Sequence, residues 1–494
     1  MVQPLAFQPV RPAAPSAQNP SKGPLQTLVV IALAALSWIL VGDWLAPLAT
    51  VLLWAIWRFL RAREGPPVLA LALSFQWAQV NAGVFYHGIT GRPLEAISFS
   101  DYRPMVLIGM GCVLALLIGL RLALGRGTPP PDRQLPGKAF SAQALYLTYF
   151  GLLATVGAIH TVAWEIPVLT QGILALSFLR LVALYLILRR LSSTRIRWRP
   201  ILVLLSIEVV LGFTGFFASF REPLMMLVLV ILERFEPRRI QHWLMIGASA
   251  CAIFFFGLLW LSIRTTYRSS FEIEAFAESR SARLEKVVSL SKGWFGSDFQ
   301  GVVENLDFFV DRLWTVYYPA LAVSRVPEVL PHENGRILGK AVRHVLMPRL
   351  LFPNKPVLPS DSEMVRKYSG IWVAGAEENT SIAFGYAAES YIDFGLPWMF
   401  LPILAFGFIM GRLYRFLLRL IWHRELAVGL VTVIFWLALY LFERSWIKTL
   451  GFSFTLMIYM GISVFVLDRV LMSRRSRRRR LLGFADRPEP VAVA

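Results

Sequence analysis

Twelve apolar runs dominate the chain, at about residues 25–41, 44–60, 67–86, 104–124, 141–160, 168–188, 201–219, 222–234, 243–262, 396–416, 426–442 and 450–468. Roughly 20 apolar residues in a helix cross about 30 Å of hydrocarbon. Inside that layer the backbone has no water to bond, so it must satisfy itself within a helix or a closed barrel. The runs therefore predict an all-α polytopic membrane protein of about 12 transmembrane helices. Composition agrees: 56% of residues are apolar and 16% charged, against globular norms of roughly 45–50% and 25%. Two pairs of runs read as tight helical hairpins. One is interrupted only by Val41-Gly42-Asp43, the other by Phe220-Arg221-Glu222-Pro223. The eighth run is short enough to be a half-helix, which would sink Arg221 below the outer membrane surface.

The charge is lopsided, with 50 Lys and Arg against 31 Asp and Glu and a net +19. Alternating the runs from a cytoplasmic N-terminus collects the basic clusters on one side: Arg58, Arg61 and Arg63; Arg121, Arg126, Arg133 and Lys138; Arg189, Arg190, Arg195, Arg197 and Arg199; Arg234, Arg238 and Arg239; Arg412, Arg415, Arg419 and Arg424; and 474–480. That is the positive-inside bias, and it orients both termini to the cytoplasm. The division that follows is a disordered cytoplasmic tail (1–24), an N-terminal bundle of about nine spans (25–262), a large periplasmic loop (263–395), a C-terminal bundle of about three spans (396–468) and a basic cytoplasmic tail (469–494). The tail around Arg477 and Arg480 lacks interleaved aromatics, so anionic membrane lipid, and no nucleic acid, is its expected partner. Cys112 and Cys251 both fall inside apolar runs and read as packing residues.

The outer loop far exceeds the usual connection of about 4–6 residues, and loops of that length are usually functional. Within it, 305–318 and 334–346 have amphipathic helical spacing, 352–360 is Pro-rich and extended, and a third helix is expected from Thr380. Basic residues at the outer surface run against the topological bias. They are Arg221, Arg264 and Arg268 after the ninth run, Arg349 and Lys355 in Met347-Pro348-Arg349-Leu350-Leu351-Phe352-Pro353-Asn354-Lys355-Pro356, and Arg444 after the eleventh. The plainer reading of any one of them is snorkelling to headgroup phosphates, or pairing with an acid such as Glu222. Taken together they suit an oligophosphate, because guanidinium forks bind it bidentately and keep their charge. Glu389, at the loop's return to the membrane, is a candidate general base if it does not pair with a loop arginine, and Asp393 is the more natural helix cap. His344 and His332 are weaker bases. Gly-rich phosphate loops, His-Glu-x-x-His, Asp-x-Asp and Gly-x-Ser-x-Gly are missing from the sequence, so no cofactor or metal is called for.

The layout, with many spans and one large outer loop near the C-terminal third, resembles the bacterial oligosaccharide repeat-unit polymerases of the Wzy type, which make O-antigen, capsule and exopolysaccharide. Phe216 to Val230 is similar to that family's Gly/Ser-Arg turn and helix, reading Ser219-Phe220-Arg221 here. Gly385 to Gly395 looks like its Gly-x-x-x-Glu-x-Tyr-x-x-Phe-Gly stretch, and Met347 to Pro356 adds a third likeness. The resemblance implies metal-independent glycosyl transfer at the periplasmic face of the bacterial inner membrane, from a polyprenyl-diphosphate glycan to a lipid-linked repeat unit. It makes Arg221, with Arg264, Arg268 or Arg349, the neutraliser of the leaving diphosphate and Glu389 the base. Its implied partners are a flippase and a chain-length regulator. A lipid-linked glycan ligase relying on His344 or His332, a transporter, and a noncatalytic envelope-assembly component are the competing classes.

Overall fold

A computed structural model describes residues 22–60, 66–91, 101–125, 140–165, 170–193, 196–213, 220–236, 238–269, 280–295, 299–347, 351–352, 354–356, 358–375, 377 and 380–481. Every regular element among them is a helix. The first group is α1 (Lys22–Val41), α2 (Leu45–Leu60), α3 (Val68–Thr90), α4 (Arg103–Leu124), α5 (Ala142–Glu165), α6 (Thr170–Ser177), α7 (Leu179–Leu191), α8 (Trp198–Phe213), α9 (Arg221–Glu233) and α10 (Ile240–Ser269). A middle group follows: α11 (Arg280–Phe295), α12 (Phe299–Leu313), α13 (Tyr317–Arg325), α14 (Arg336–Leu346), α15 (Asp361–Ser369) and α16 (Tyr386–Phe394). The chain then finishes with α17 (Phe400–Leu420), α18 (Arg424–Leu439) and α19 (Trp446–Leu481).

A helix thus lies over each of the twelve apolar runs. Among the described residues, six segments are long and apolar enough to cross a membrane: Val68–Thr90, Arg103–Leu124, Thr170–Leu191, Ile240–Arg264, Phe400–Leu420 and Trp446–Ser473. They make this a helical membrane protein. Its periphery is correspondingly apolar: Ile31, Trp38, Ile39 and Leu40 on α1 and Trp243, Leu244 and Phe254 on α10 are all exposed, a surface that lipid tails cover without cost. Cys112 is buried, whereas Cys251 is exposed on α10 and so does not pack as its sequence setting suggests.

α18 is the axis. It is apolar all round, and its residues from Glu425 to Leu439 are all buried, as expected for a helix enclosed on every side. α3, α7, α17 and α19 surround it. The closest crossing is between α4 and α17, where Gly407 and Gly411 on one helix and Gly119 on the other bring backbone against backbone, the small-residue contact that stands in for a hydrophobic driving force in lipid. A Cβ on Gly119 would collide with the Leu404 carbonyl. Gly119→Leu is accordingly expected to lower stability by about 3 kcal/mol, read as a depressed melting temperature of the detergent-purified protein; an unchanged melting curve would refute this crossing.

α7 is pinned electrostatically. Arg180 Nη1 lies 3.0 Å from Glu208 Oε2 on α8, and the Tyr149 hydroxyl of α5 donates to the same carboxylate at 2.9 Å. Arg189 bonds Glu233 of α9, and Arg190 bonds Glu425 of α18, each at 2.8 Å. Arg189 and Arg190 read from sequence as topological charge alone. Their partners are carboxylates on other helices, so they also fix the position of α7 against α9 and α18.

The helices between α10 and α17 differ in detail from their expected bounds. α12 begins at Phe299 and ends at Leu313, and the chain turns at Trp314 before α13. The helix expected from Thr380 starts instead at Tyr386, because Gly385 adopts φ +88° and cannot continue a helix. α11 and α15 were not anticipated, although α15 carries a legible signal: the Ser360 hydroxyl accepts the Glu363 N–H at its start, and Gly370 ends it in the left-handed conformation, a capping box followed by a glycine stop.

Candidate anion and carboxyl site at the end of α18

The last four carbonyls of any helix lack partners inside it. At the buried end of α18 side chains supply them. Arg444 Nη1 donates to the Leu437 and Ala438 carbonyls at 3.0 and 3.4 Å. Gln76 donates to the Leu439 carbonyl, and Gln79 to that of Tyr440 at 2.7 Å. These two amides sit three residues apart on α3 and so share a face. The Gln79 Oε1 atom also accepts the Phe442 N–H at 3.1 Å, and the Tyr386 hydroxyl donates to Gln76 Oε1 at 2.6 Å. Residues 437–446 are thereby held from α3 on one side and α16 on the other.

Tyr440 is the centre of this turn. Its ring stacks on Trp436 at 5.0 Å. Arg221, the first residue of α9, lies over that ring at 4.7 Å and donates from Nη2 to the Tyr440 hydroxyl at 2.9 Å. Arg444 lies 5.8 Å from the same ring and 4.8 Å from that of Phe452. Two guanidiniums therefore gather about one phenol. Their local acids are poorly matched to them: Glu222 meets Arg221 only at 3.4 Å, and Glu443 is taken by Arg312 at 2.8 Å. Arg444 has no carboxylate partner among the described residues, and Arg221 Nε is buried without a hydrogen-bond partner. Like charges placed together in a poorly solvated setting call for an anion, and paired guanidinium forks fit a phosphate.

Glu389 attaches to the other side of the segment. Gly385 lets α16 approach it, since a Cβ there would lie 2.5 Å from the Phe442 carbonyl. The Tyr386 N–H donates to the Arg444 carbonyl at 2.8 Å. One turn on, Glu389 Oε2 accepts the Trp446 N–H at 2.7 Å, and the Ser390 hydroxyl accepts the Trp446 indole N–H at 2.8 Å. Glu389 is therefore a cap for α19, not an arginine's partner. Burial pushes its carboxyl up to about 8, with the Trp446 N–H opposing the rise. Its carboxyl faces a cavity of about 400 Å³ between α14, α15 and α16. Asp393 caps α14, accepting the Ile337 and Leu338 N–H groups at 3.0 and 2.8 Å.

The remaining sequence candidates are distributed elsewhere. Arg264 lies over the Phe308 ring of α12 at 5.6 Å. Lys355 donates to the His344 carbonyl at 3.3 Å, a cation at the end of α14. Arg349 and the Arg268 side chain lie outside the described residues. The His332 ring packs on Tyr391 and beside Gly395. What the sequence reading missed is Tyr440, which ties the two arginines together, and the Gln76–Gln79 pair. The pair's signal was available: two amides one turn apart inside an apolar span are costly in lipid and need a partner there. Among the described residues no three His, Cys, Asp or Glu side chains form a group that could hold a metal ion.

No curated protein and no solved structure matches this chain. A family model does, over residues 136–474, which takes in α5 to α18, α19 as far as residue 474, and every candidate residue named above except those of α3. By that match the chain belongs to the family described as Domain of unknown function (DUF8712).

Proposed function

We propose that the protein polymerises lipid-linked oligosaccharide repeat units by glycosyl transfer from a polyprenyl-diphosphate glycan. The observation that carries this reading is the pair of guanidiniums, Arg221 and Arg444, gathered about Tyr440. In the proposal the twelve apolar runs all span the membrane, both termini are cytoplasmic, and 263–395 faces the periplasm. The acceptor hydroxyl oxygen attacks the anomeric carbon of the donor glycan while the bond from that carbon to the diphosphate oxygen breaks. The diphosphate leaves with the electron pair, and Arg221 and Arg444 hold its developing charge, an electrostatic role worth roughly 3–4 kcal/mol per well-placed donor. The hydroxyl proton passes to the ionised form of Glu389. Glu389 is fastened to the same 437–446 segment that carries Arg444, so both halves of the reaction share one frame.

The direct test is elongation in vitro. Full-length protein in nanodiscs, given a polyprenyl-diphosphate-linked repeat unit with chelator present, is expected to yield a ladder of longer lipid-linked glycans on a gel. Release of free glycan or an unchanged substrate would remove the polymerase reading.

A further inference from the structure

The cavity facing Glu389 has a character of its own. It is an open cleft of about 400 Å³, within the range of small-molecule sites. Its apolar lining includes Ile337, Ala341 and Ile447, and the Glu389 carboxyl, only 5% exposed, stands among them. Arg336, Lys340 and Lys367 also line it.

The carboxylates that face this space are already engaged. Glu333 takes the Lys367 ammonium at 2.8 Å together with the Tyr368 hydroxyl, which holds its carboxyl below the usual range. Asp361 holds Lys448 at 2.5 Å. Glu363 is bound into the Ser360 cap, and Glu389 accepts the Trp446 N–H. The cations are less committed. Lys340 has no ion pair among the described residues, and Arg336 reaches Glu333 only at 3.3 Å with 70% of its side chain exposed. An occupant therefore meets an unpaired cation at Lys340 and an Arg336 that shares the one carboxylate of Glu333 with Lys367, against the uncompensated charge of Glu363 alone. It also meets a buried carboxyl able to hydrogen-bond a hydroxyl.

We propose that the cavity between α14, α15 and α16 binds a saccharide bearing a carboxylate substituent, its acid group at Arg336 and Lys340 and a ring hydroxyl at Glu389. The placement of that hydroxyl rests on the polymerase reading, in which Glu389 receives the acceptor's proton. Binding itself is measurable without turnover, so the two can fail separately.

The experiment is isothermal titration of the full-length protein in detergent with trigalacturonate, maltotriose and sodium acetate. Trigalacturonate is expected to bind at least tenfold more tightly than maltotriose. Arg336→Glu/Lys340→Glu, both exposed positions at which the fold is expected to persist as a wild-type melting temperature, is expected to weaken trigalacturonate at least tenfold. Arg221→Ala is expected to leave that affinity within about twofold even where it abolishes polymer. Equal affinity for maltotriose overturns the proposal, as does a charge-reversed variant that binds normally. Displacement of trigalacturonate by equimolar acetate would also overturn it, by reducing the cavity to a site for any small anion. If elongation fails while the sugar preference and its loss on charge reversal persist, the polymerase reading falls and the saccharide site stands.

Discussion

Arg221→Ala is expected to cut the elongation rate by about 10²- to 10³-fold, the usual cost of removing one preorganised donor from a developing anion. Its guanidinium lies on the Tyr440 ring and donates to the Tyr440 hydroxyl, so deletion removes charge while the 437–446 turn keeps its other supports from Gln76, Gln79 and Arg444. Melting temperature should therefore move little compared with rate. Arg221→Lys keeps the charge and loses the fork, and an intermediate rate is expected. Arg444→Ala should behave differently, losing stability as well as rate, because that side chain also satisfies the Leu437 and Ala438 carbonyls. The measurement is polymer length and yield in a deletion strain, with single-turnover rates on purified protein. Wild-type polymer from Arg221→Ala would end the assignment of the pair as a diphosphate clamp.

Glu389→Gln should lower the elongation rate by about 10²- to 10⁴-fold, the range for a general base. It should also remove a pH dependence. The Glu389 carboxyl is held at about 8 in the folded protein against an ordinary 4.5. Its protonated form is thus favoured by folding. That stabilisation is complete below about 4.5 and is lost as pH rises through about 8, an effect on the order of 5 kcal/mol. Wild-type melting temperature should fall as pH rises from about 4.5 to about 8 on this account, while the elongation rate climbs over the upper part of the same range as the base ionises. The amide of Glu389→Gln can still accept the Trp446 N–H and should flatten the melting profile. Parallel profiles for the two proteins would show that Glu389 does not titrate in this window.

Much of the architecture was legible because lipid imposes it. The apolar runs had to be helices, and each has a helix over it. Short-range chemistry in the segment between α10 and α17 was legible in part: Ser360 and Glu363 spell the start of α15, and Gly385 and Gly395 bracket α16. The start of α16 was misplaced because helical spacing from Thr380 gave no warning of the positive φ at Gly385. Arg221 and Arg444 stood out individually as cations on the less basic side. That they share Tyr440 could not be read, since the contact joins residues 219 positions apart.

The roles of the other candidates depended in the same way on distant partners. Lys355 ends α14, and Arg264 covers Phe308. The sequence by itself determined a helical membrane protein, because hydrocarbon demands internally bonded backbone. Only the tertiary structure decided which charges meet. Arg189 and Arg190 find carboxylates on α9 and α18, whereas Arg444 caps α18 beside Arg221 and has no carboxylate partner among the described residues. The reason is geometric: ion pairing acts over a few ångströms, and which side chains come that close is set by how the helices pack around α18.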